Sequence, residues 1–194
     1  IPFTHTGVRV AYEASDTLVL KIGASEGWDT IEDKNGGISA EFGLAYTPVP
    51  AFSLAGLMLH TGKEKVYNYP RSALRDSPTG TRNLVDVVAI YYATDNLNLV
   101  LNYDYGTQEN ATLLDESSGM AVWEGWALYA NYAFSDLWRV SARGEIFFDR
   151  DGYRTTVAED ETEGQTWTEA TLTLARTVAE KLELRAEVRQ DNSD

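Results

Sequence analysis

Alternation of apolar and polar side chains dominates this chain, and the stretch 138–149 shows it most clearly. From Trp138 to Phe148 every second residue is apolar or glycine, whereas the positions between them include Arg143 and Glu145. A period of two residues is that of a β-strand, whose successive side chains point to opposite faces of the sheet. The stretch therefore predicts a strand with one apolar face and one mostly charged face.

The same pattern recurs along the chain and predicts ten strands. Most have about the 9–11 residues that a tilted strand needs to cross a bilayer. The predicted strands cover residues 6–14, 17–27, 38–48, 52–63, 83–93, 97–107, 121–134, 138–149, 166–178 and 181–191.

The connections between these strands alternate between short and long. The short ones are hairpin turns at Ser15-Asp16, Val49-Pro50-Ala51, Thr94-Asp95-Asn96, Ser135-Asp136-Leu137 and Ala179-Glu180. The long ones are polar and cover residues 29–37, 64–82, 108–120 and 150–165. Short turns at one end and long loops at the other are typical of outer-membrane barrels, with the short turns in the periplasm.

Charged residues share one face in several predicted strands. Burying that face in a soluble sandwich would be costly, because unpaired charges lose their hydration. A barrel with water inside and lipid outside avoids this cost. We therefore predict an all-β fold, a transmembrane antiparallel up-and-down β-barrel, formed by residues 1–194 as a single segment without a separate soluble domain. The predicted pore-lining residues are Asn102, Asp104, Arg139, Arg143, Glu145, Arg185, Glu187 and Arg189.

Aromatic residues concentrate near the ends of the predicted strands. Two belts of amphipathic rings at opposite strand ends are typical of the interfaces between a barrel and the lipid headgroups. The alternative is that these rings belong to a core. The predicted membrane-interface aromatics are Trp28, Trp123, Trp126, Tyr132, Trp138 and Trp167.

Composition excludes several classes of function. No apolar run approaches the roughly 18 residues of a membrane helix, and the chain has no Cys and only two His. We therefore expect no metal site built on Cys or His, no cofactor and no catalytic residues, since the pairs of Glu and Asp are those expected by chance among 30 acidic residues. A net charge of −14 argues against nucleic acid as a partner.

The long loops carry clustered carboxylates, and two interpretations stay open. Such clusters suit Ca²⁺ or Mg²⁺, which could bridge to lipopolysaccharide phosphates. They also suit a solvated surface. The residues are Asp29, Glu32, Asp33, Asp115, Glu116, Glu159, Asp160, Glu161 and Glu163.

Several segments resemble the Putative beta-barrel porin-2 family of Gram-negative outer membranes. They are Gly27-Trp28-Asp29, Asn102 to Gln108, Arg143 to Asp149 with Asp151-Gly152, and Arg185 to Asp191. The similarity spans nearly the whole chain. It implies an outer-membrane barrel of the porin type without catalytic residues, and it does not define a solute.

The chain departs from that family in extent. Family members are usually longer, and the final Asn192-Ser193-Asp194 lacks the aromatic terminal residue that such proteins usually carry. Strand direction puts both termini on the long-loop side, whereas a whole exported barrel normally keeps both in the periplasm. We therefore expect an internal portion of a larger barrel. The sequence does not decide whether these ten strands close into a barrel by themselves.

Three functional hypotheses follow. The first is a channel for passive diffusion of small hydrophilic solutes or ions across the outer membrane of a Gram-negative bacterium, surrounded by lipid and lipopolysaccharide. The second is a non-conducting scaffold barrel, either a plugged anchor or a sheath around a partner protein. The third is a soluble all-β binding module. The charged face is either a pore wall or a salt-bridge network that plugs a narrow lumen. The sequence does not decide whether the protein forms a homo-oligomer.

Overall fold

Ten antiparallel β-strands, each hydrogen-bonded to its neighbours in sequence, build the described part of the chain. The computed structural model describes residues 6–29, 31–32, 36–65, 79–112, 118–155, 164–180 and 182–194. The strands are β1 (Gly7–Ser15), β2 (Leu18–Ser25), β3 (Ser39–Val49), β4 (Phe52–Lys65), β5 (Thr79–Tyr92), β6 (Leu97–Thr112), β7 (Ser118–Ala133), β8 (Trp138–Asp149), β9 (Gln165–Ala179) and β10 (Leu182–Ser193). Among these residues, no helix has the length and apolarity needed to cross a membrane.

The predicted all-β, up-and-down topology is confirmed, and most strand ends lie within two residues of their predicted positions. The larger differences all lie toward the long loops. β5 begins at Thr79 rather than 83, β6 runs to Thr112 rather than 107, and β7 begins at Ser118 rather than 121. Apart from Ala111 and Met120 these extensions are polar or glycine, so they carry little alternation signal, and pairing with the neighbouring strand makes them extended.

Strand register carries the two faces from strand to strand. Arg143 of β8 pairs with Thr171 of β9, and Ala142 pairs with Leu172. Directly paired residues share a face of the sheet. We call the face that carries Arg143 and Thr171 the polar face, and the face that carries Ala142 and Leu172 the apolar face.

Burial on these two faces is the reverse of that in a water-soluble sheet. On the apolar face Leu128 is 57% exposed, Leu172 56% and Val188 76%. On the polar face Asp86 and Glu169 are each only 8% exposed. A single flat sheet would leave both faces equally open. The sheet therefore curves around its polar face and turns its apolar face outward.

Apolar burial within the described residues is small. One cluster joins Trp28, Leu59 and Leu84, and another joins Ala111 and Ala121. The ladder β1 to β10 is open, since the described residues of β1 and β10 pair only with β2 and β9. Such a sheet has too little core of its own to hold its apolar face away from water, so that face needs another apolar environment.

Arg176 interrupts the apolar face of β9 close to a short turn. Its guanidinium lies 5.2 Å from the centre of the Trp138 ring on β8. A long cationic side chain near the membrane boundary can keep its charge at the interface while its stem covers apolar surface. Because Arg176 pairs directly with Trp138 of the apolar face, this interfacial position explains it without a bulge.

Adjacent substitutions on β6 test the assignment of the two faces. Leu101→Arg places a charge on the apolar face, where it should cost about 2–4 kcal/mol near the bilayer midplane. Asn102→Arg places the same charge on the polar face beside Asp86 and Asp104 and should cost less than about 1 kcal/mol. Urea unfolding of the protein in lipid vesicles measures both values. Equal costs for the two variants would contradict the assignment.

Candidate functional site

An arginine at the centre of β8 links two strands on the polar face. Arg143 forms an ion pair with Glu145 of its own strand, and its Nε lies 3.1 Å from a carboxylate oxygen of Glu169 on β9. The hydroxyl of Thr171 donates a hydrogen bond to the same Glu169. Because Glu169 is buried, its charge depends on this cationic partner.

A second set of ion pairs extends this arrangement across β10. Arg139 donates from one nitrogen to both carboxylate oxygens of Glu183 at 3.2 Å, and Arg185 donates to Glu183 at 2.6 Å. Farther along the strand, Arg189 donates to Asp191 at 2.7 Å. Positive and negative groups therefore alternate along this part of the polar face.

Carboxylates gather at the middle of β5 and β6. Asp86 and Asp104 are directly opposite each other in the register, and the Asn102 amide donates to Asp86 at 3.2 Å. One oxygen of Asp104 is buried and has no hydrogen-bond partner among the described residues. This group gives the polar face a local excess of negative charge.

Two open grooves lie on the polar face, and all eight predicted pore-lining residues line one or both of them. The first has a volume of about 440 Å³ and is lined in part by Arg139, Arg143, Arg185, Glu187 and Arg189. The second has a volume of about 430 Å³ and is lined in part by Asn102, Asp104, Arg143 and Glu145. The structure thus brings the predicted set together, and its role in a pore stays a prediction.

The predicted set leaves out charged residues near the β1 edge of the sheet. Arg9 donates to Glu41 at 2.6 Å, and the pair spans β2 above Gly23. Glu41 is buried. Glu41 is the one charged residue of β3, and β1 carries only Arg9 and Glu13, so only the register of three strands reveals the pair.

The six predicted interface aromatics divide between the two faces. Trp126, Tyr132 and Trp138 lie on the apolar face, as their pairing with Ile146, Val140 and Arg176 shows. Trp123 and Trp167 instead pair with Asp149 and Phe147 on the polar face, and Trp28 packs against Leu59 and Leu84. Position near a strand end is therefore not enough to identify an interface aromatic, because the parity of the residue along the strand decides which face its ring occupies.

The segment after β8 is held in place by one carboxylate. Asp149 is fully buried, and it accepts hydrogen bonds from the backbone N–H groups of Tyr153 at 3.0 Å, Arg154 at 2.6 Å and Thr155 at 2.7 Å. The Thr155 hydroxyl adds a fourth at 3.0 Å. Bonds of this kind to an ionised acceptor are stronger than neutral ones.

This segment closes a cluster on the polar face near the long loops. We call it the outer-end cluster, and it consists of Trp28, Arg82, Trp123, Tyr153 and Arg154. Tyr153 stacks on Trp123 with a centroid distance of 5.8 Å. The indole of Trp123 lies across β6 at Gly106, where any Cβ would overlap the ring. Both tryptophans were predicted at the membrane interface, and no role was predicted for Arg82, Tyr153 or Arg154.

Only part of the acidic loop set lies in the described residues. Asp29 and Glu32 do, and no group of three or more His, Asp or Glu suited to a metal ion occurs in the described ranges. The remaining residues lie outside the described part of the chain, namely Asp33, Asp115, Glu116, Glu159, Asp160, Glu161 and Glu163.

An open ladder of long antiparallel strands with one polar and one apolar face is the architecture of a porin-type barrel wall. A family model described as Putative beta-barrel porin-2, OmpL-like, matches residues 1–194. The chain belongs to this family, which confirms the predicted family and the predicted barrel class. A comparison with curated proteins found no match.

Three solved structures share the fold. A porin refined at 1.8 Å resolution has a TM-score of 0.66 at 9% identity, covering 97% of this chain and 56% of that one. The outer membrane channel DcaP of Acinetobacter baumannii has a TM-score of 0.64 at 15% identity, covering 95% and 55%. The NanC porin has a TM-score of 0.54 at 16% identity, covering 95% and 79%. The chain thus spans little more than half the length of two of these channels.

Replacing the buried carboxylate tests its hold on the segment after β8. Asp149→Asn removes the negative charge and leaves one oxygen for the same donors, so the segment should open more often. A loss of about 1.4 kcal/mol corresponds to about tenfold faster tryptic cleavage after Arg154. Asp136→Asn, in the exposed turn before β8, is the control and should leave cleavage unchanged. Unaltered cleavage in Asp149→Asn would show that other contacts hold the segment.

Proposed function

We propose that this chain forms part of the wall of a channel for passive diffusion of small hydrophilic solutes or ions across the outer membrane of a Gram-negative bacterium. The observation that carries the proposal is the reversed burial of the sheet, with exposed leucines and valines outside and shielded charges within the curve. Lipid can contact the first group and water the second. Such a wall separates a water-filled lumen from the lipid bilayer.

The eight residues of the two grooves are the proposed pore lining. They are Asn102, Asp104, Arg139, Arg143, Glu145, Arg185, Glu187 and Arg189. Rings of charged side chains set the ion preference of a channel, and their pairing limits how far each side chain extends. The arginines of β8 and β10 and the carboxylates of β5 and β6 would therefore present opposite charges to a solute on different parts of the wall.

Aromatic residues on the apolar face are the proposed contacts with the membrane interface. Trp138 lies beside the short turn that precedes β8, and Tyr132 is close to the same end of β7. Trp126 packs against Tyr103 with a centroid distance of 4.2 Å. Amphipathic rings favour the headgroup level, so this face would be surrounded by lipid and, on its outer side, by lipopolysaccharide. We further propose one barrel segment over residues 1–194, without a separate soluble domain.

A second candidate is a non-conducting scaffold barrel, which is either plugged or encloses a partner protein. The observation that favours it is the outer-end cluster, because Trp28, Tyr153 and Arg154 occupy the polar face and narrow the space within the curve. A plugged barrel would carry no current. A sheath would retain a stoichiometric partner through purification.

Conductance in planar lipid bilayers separates the two candidates. The full-length protein, folded in detergent, should produce discrete channels in KCl. Absence of current from correctly folded protein would overturn the channel and leave the scaffold. A co-purified partner in fixed ratio would then identify the sheath.

Ion selectivity tests whether the polar face lines the conducting path. Arg185→Gln removes a positive charge from that face and leaves Glu183 paired with Arg139. Under a KCl gradient its reversal potential should shift toward cation selectivity, because a local anion-attracting charge is lost. Arg176→Gln removes the same charge from the apolar face and should leave the reversal potential unchanged. Equal shifts in both variants would place the conducting path elsewhere.

A further inference from the structure

Most described arginines have an acidic partner, but two in the outer-end cluster do not. Ion pairs with carboxylates are formed by Arg9, Arg139, Arg143, Arg150, Arg185 and Arg189. Within the described residues, Arg82 and Arg154 have no carboxylate at ion-pair distance. This is unexpected in a chain with 30 acidic and 16 basic residues, because carboxylates are abundant enough to pair every cation.

Neutral groups hold the first of these arginines. Arg82 is 3% exposed, and its guanidinium donates to the Gln108 side-chain oxygen at 2.8 Å and to the Tyr153 hydroxyl at 3.1 Å. It also lies 5.1 Å from the centre of the Trp28 ring. These partners are neutral, so they fix the position of the guanidinium without forming an ion pair.

The second arginine lies between two indole rings. The Arg154 guanidinium is 5.7 Å from the centre of Trp28 and 5.3 Å from that of Trp123. Both arginines thus contact Trp28, which brings two like charges close together. Burial, and after it the charge of Arg82, lowers the pKa of Arg154 below its ordinary value, while the carboxylates of Asp149 and Asp29 act in the opposite direction.

The outer-end cluster faces an open groove. Arg154, Thr155 and Trp123 line the groove of about 430 Å³ that also reaches Asn102 and Asp104. A solute in this groove can therefore contact the Arg154 guanidinium directly, while Arg82 adds its charge from behind. The carboxylates of Asp86 and Asp104 lie deeper along the strands, so the two arginines are nearer to the long-loop end of the groove than these carboxylates are.

We propose that the outer-end cluster binds the oxyanion of a small hydrophilic solute that carries a carboxylate or a phosphate on an otherwise neutral, polar body. A guanidinium presents its donors in a planar fork that matches either group. The indole of Trp123 offers a flat surface to the solute body, and Asp104 disfavours a second negative charge at the other end. This inference rests on the proposed channel, for which it names the class of solute.

Matched sugar derivatives test the site in planar bilayers. Gluconate, glucose 6-phosphate and glucose have similar size and differ in charge. Added on the long-loop side, gluconate or glucose 6-phosphate should reduce the KCl current of the full-length channel at about fivefold lower concentration than glucose. A preference between the two anions identifies the carboxylate or the phosphate as the bound group. Equal effects of all three solutes would overturn the site.

Two arginine variants separate local binding from overall charge. Arg154→Gln should raise the half-blocking concentration of gluconate about fivefold, because the contacting guanidinium is gone. Arg150→Gln removes the same charge four positions earlier, where the side chain is exposed and paired with Glu124 on the apolar face. Gluconate should block this variant at the same concentration as it blocks the unchanged protein. Equal loss in both variants, or loss in neither, would overturn the site.

A binding measurement that needs no current separates failure of the site from failure of the channel. Gluconate should change the tryptophan fluorescence of the detergent-folded protein, because Trp28 and Trp123 flank Arg154, and Arg154→Gln should abolish the change. Gluconate-dependent fluorescence in a protein that never conducts would overturn the channel and retain the site. Normal conductance without gluconate block or fluorescence change would overturn the site and retain the channel.

Discussion

This structure depends on one constraint: a single sheet must keep its charged side chains hydrated and its large apolar side chains out of water. Burying an unpaired charge costs more than any single contact returns, and exposing apolar surface to water costs about 25 cal/mol for each Å². Leu172 and Val188 are more than half exposed on the apolar face, while Glu169 is shielded on the other. Water within the curve and lipid outside it satisfy both demands.

This constraint also explains how the two faces stay in register. A slip of one residue between β8 and β9 would exchange Arg143 for Ala142 opposite Thr171 and send charged side chains into lipid. The ion pairs across β8, β9 and β10 also help to fix the register, because Glu169 of β9 pairs with Arg143 of β8 only when the two strands are aligned as observed. Among the described residues near the long loops, Arg82 and Arg154 are left without an ion pair, and neutral side chains and aromatic rings hold them instead.

Alternation and turn chemistry were enough to predict the ten strands, their order and the face of each charged residue on β8 and β10. They failed where the information lies outside a single strand. Trp123 and Trp167 have the parity of the polar face, but their position near strand ends suggested an interface. Trp28 precedes β3 without any alternation, so only the packing against Leu59 and Leu84 locates it. Arg154 lies in a loop, and its approach to Arg82 depends on bonds to Asp149 and on the pairing of distant strands.

The two environments can be measured directly along β8. The chain has no cysteine, so single cysteines carrying a nitroxide can be placed at each position from 139 to 148 of the protein in lipid vesicles. Collision with oxygen, which dissolves in lipid, should be highest at Val140, Ala142 and Ile146, whereas collision with a water-soluble nickel complex should be highest at Ser141, Arg143 and Glu145. Two accessibilities that rise and fall together along the strand, rather than in opposite phase, would contradict a lipid-facing apolar side and a water-facing polar side.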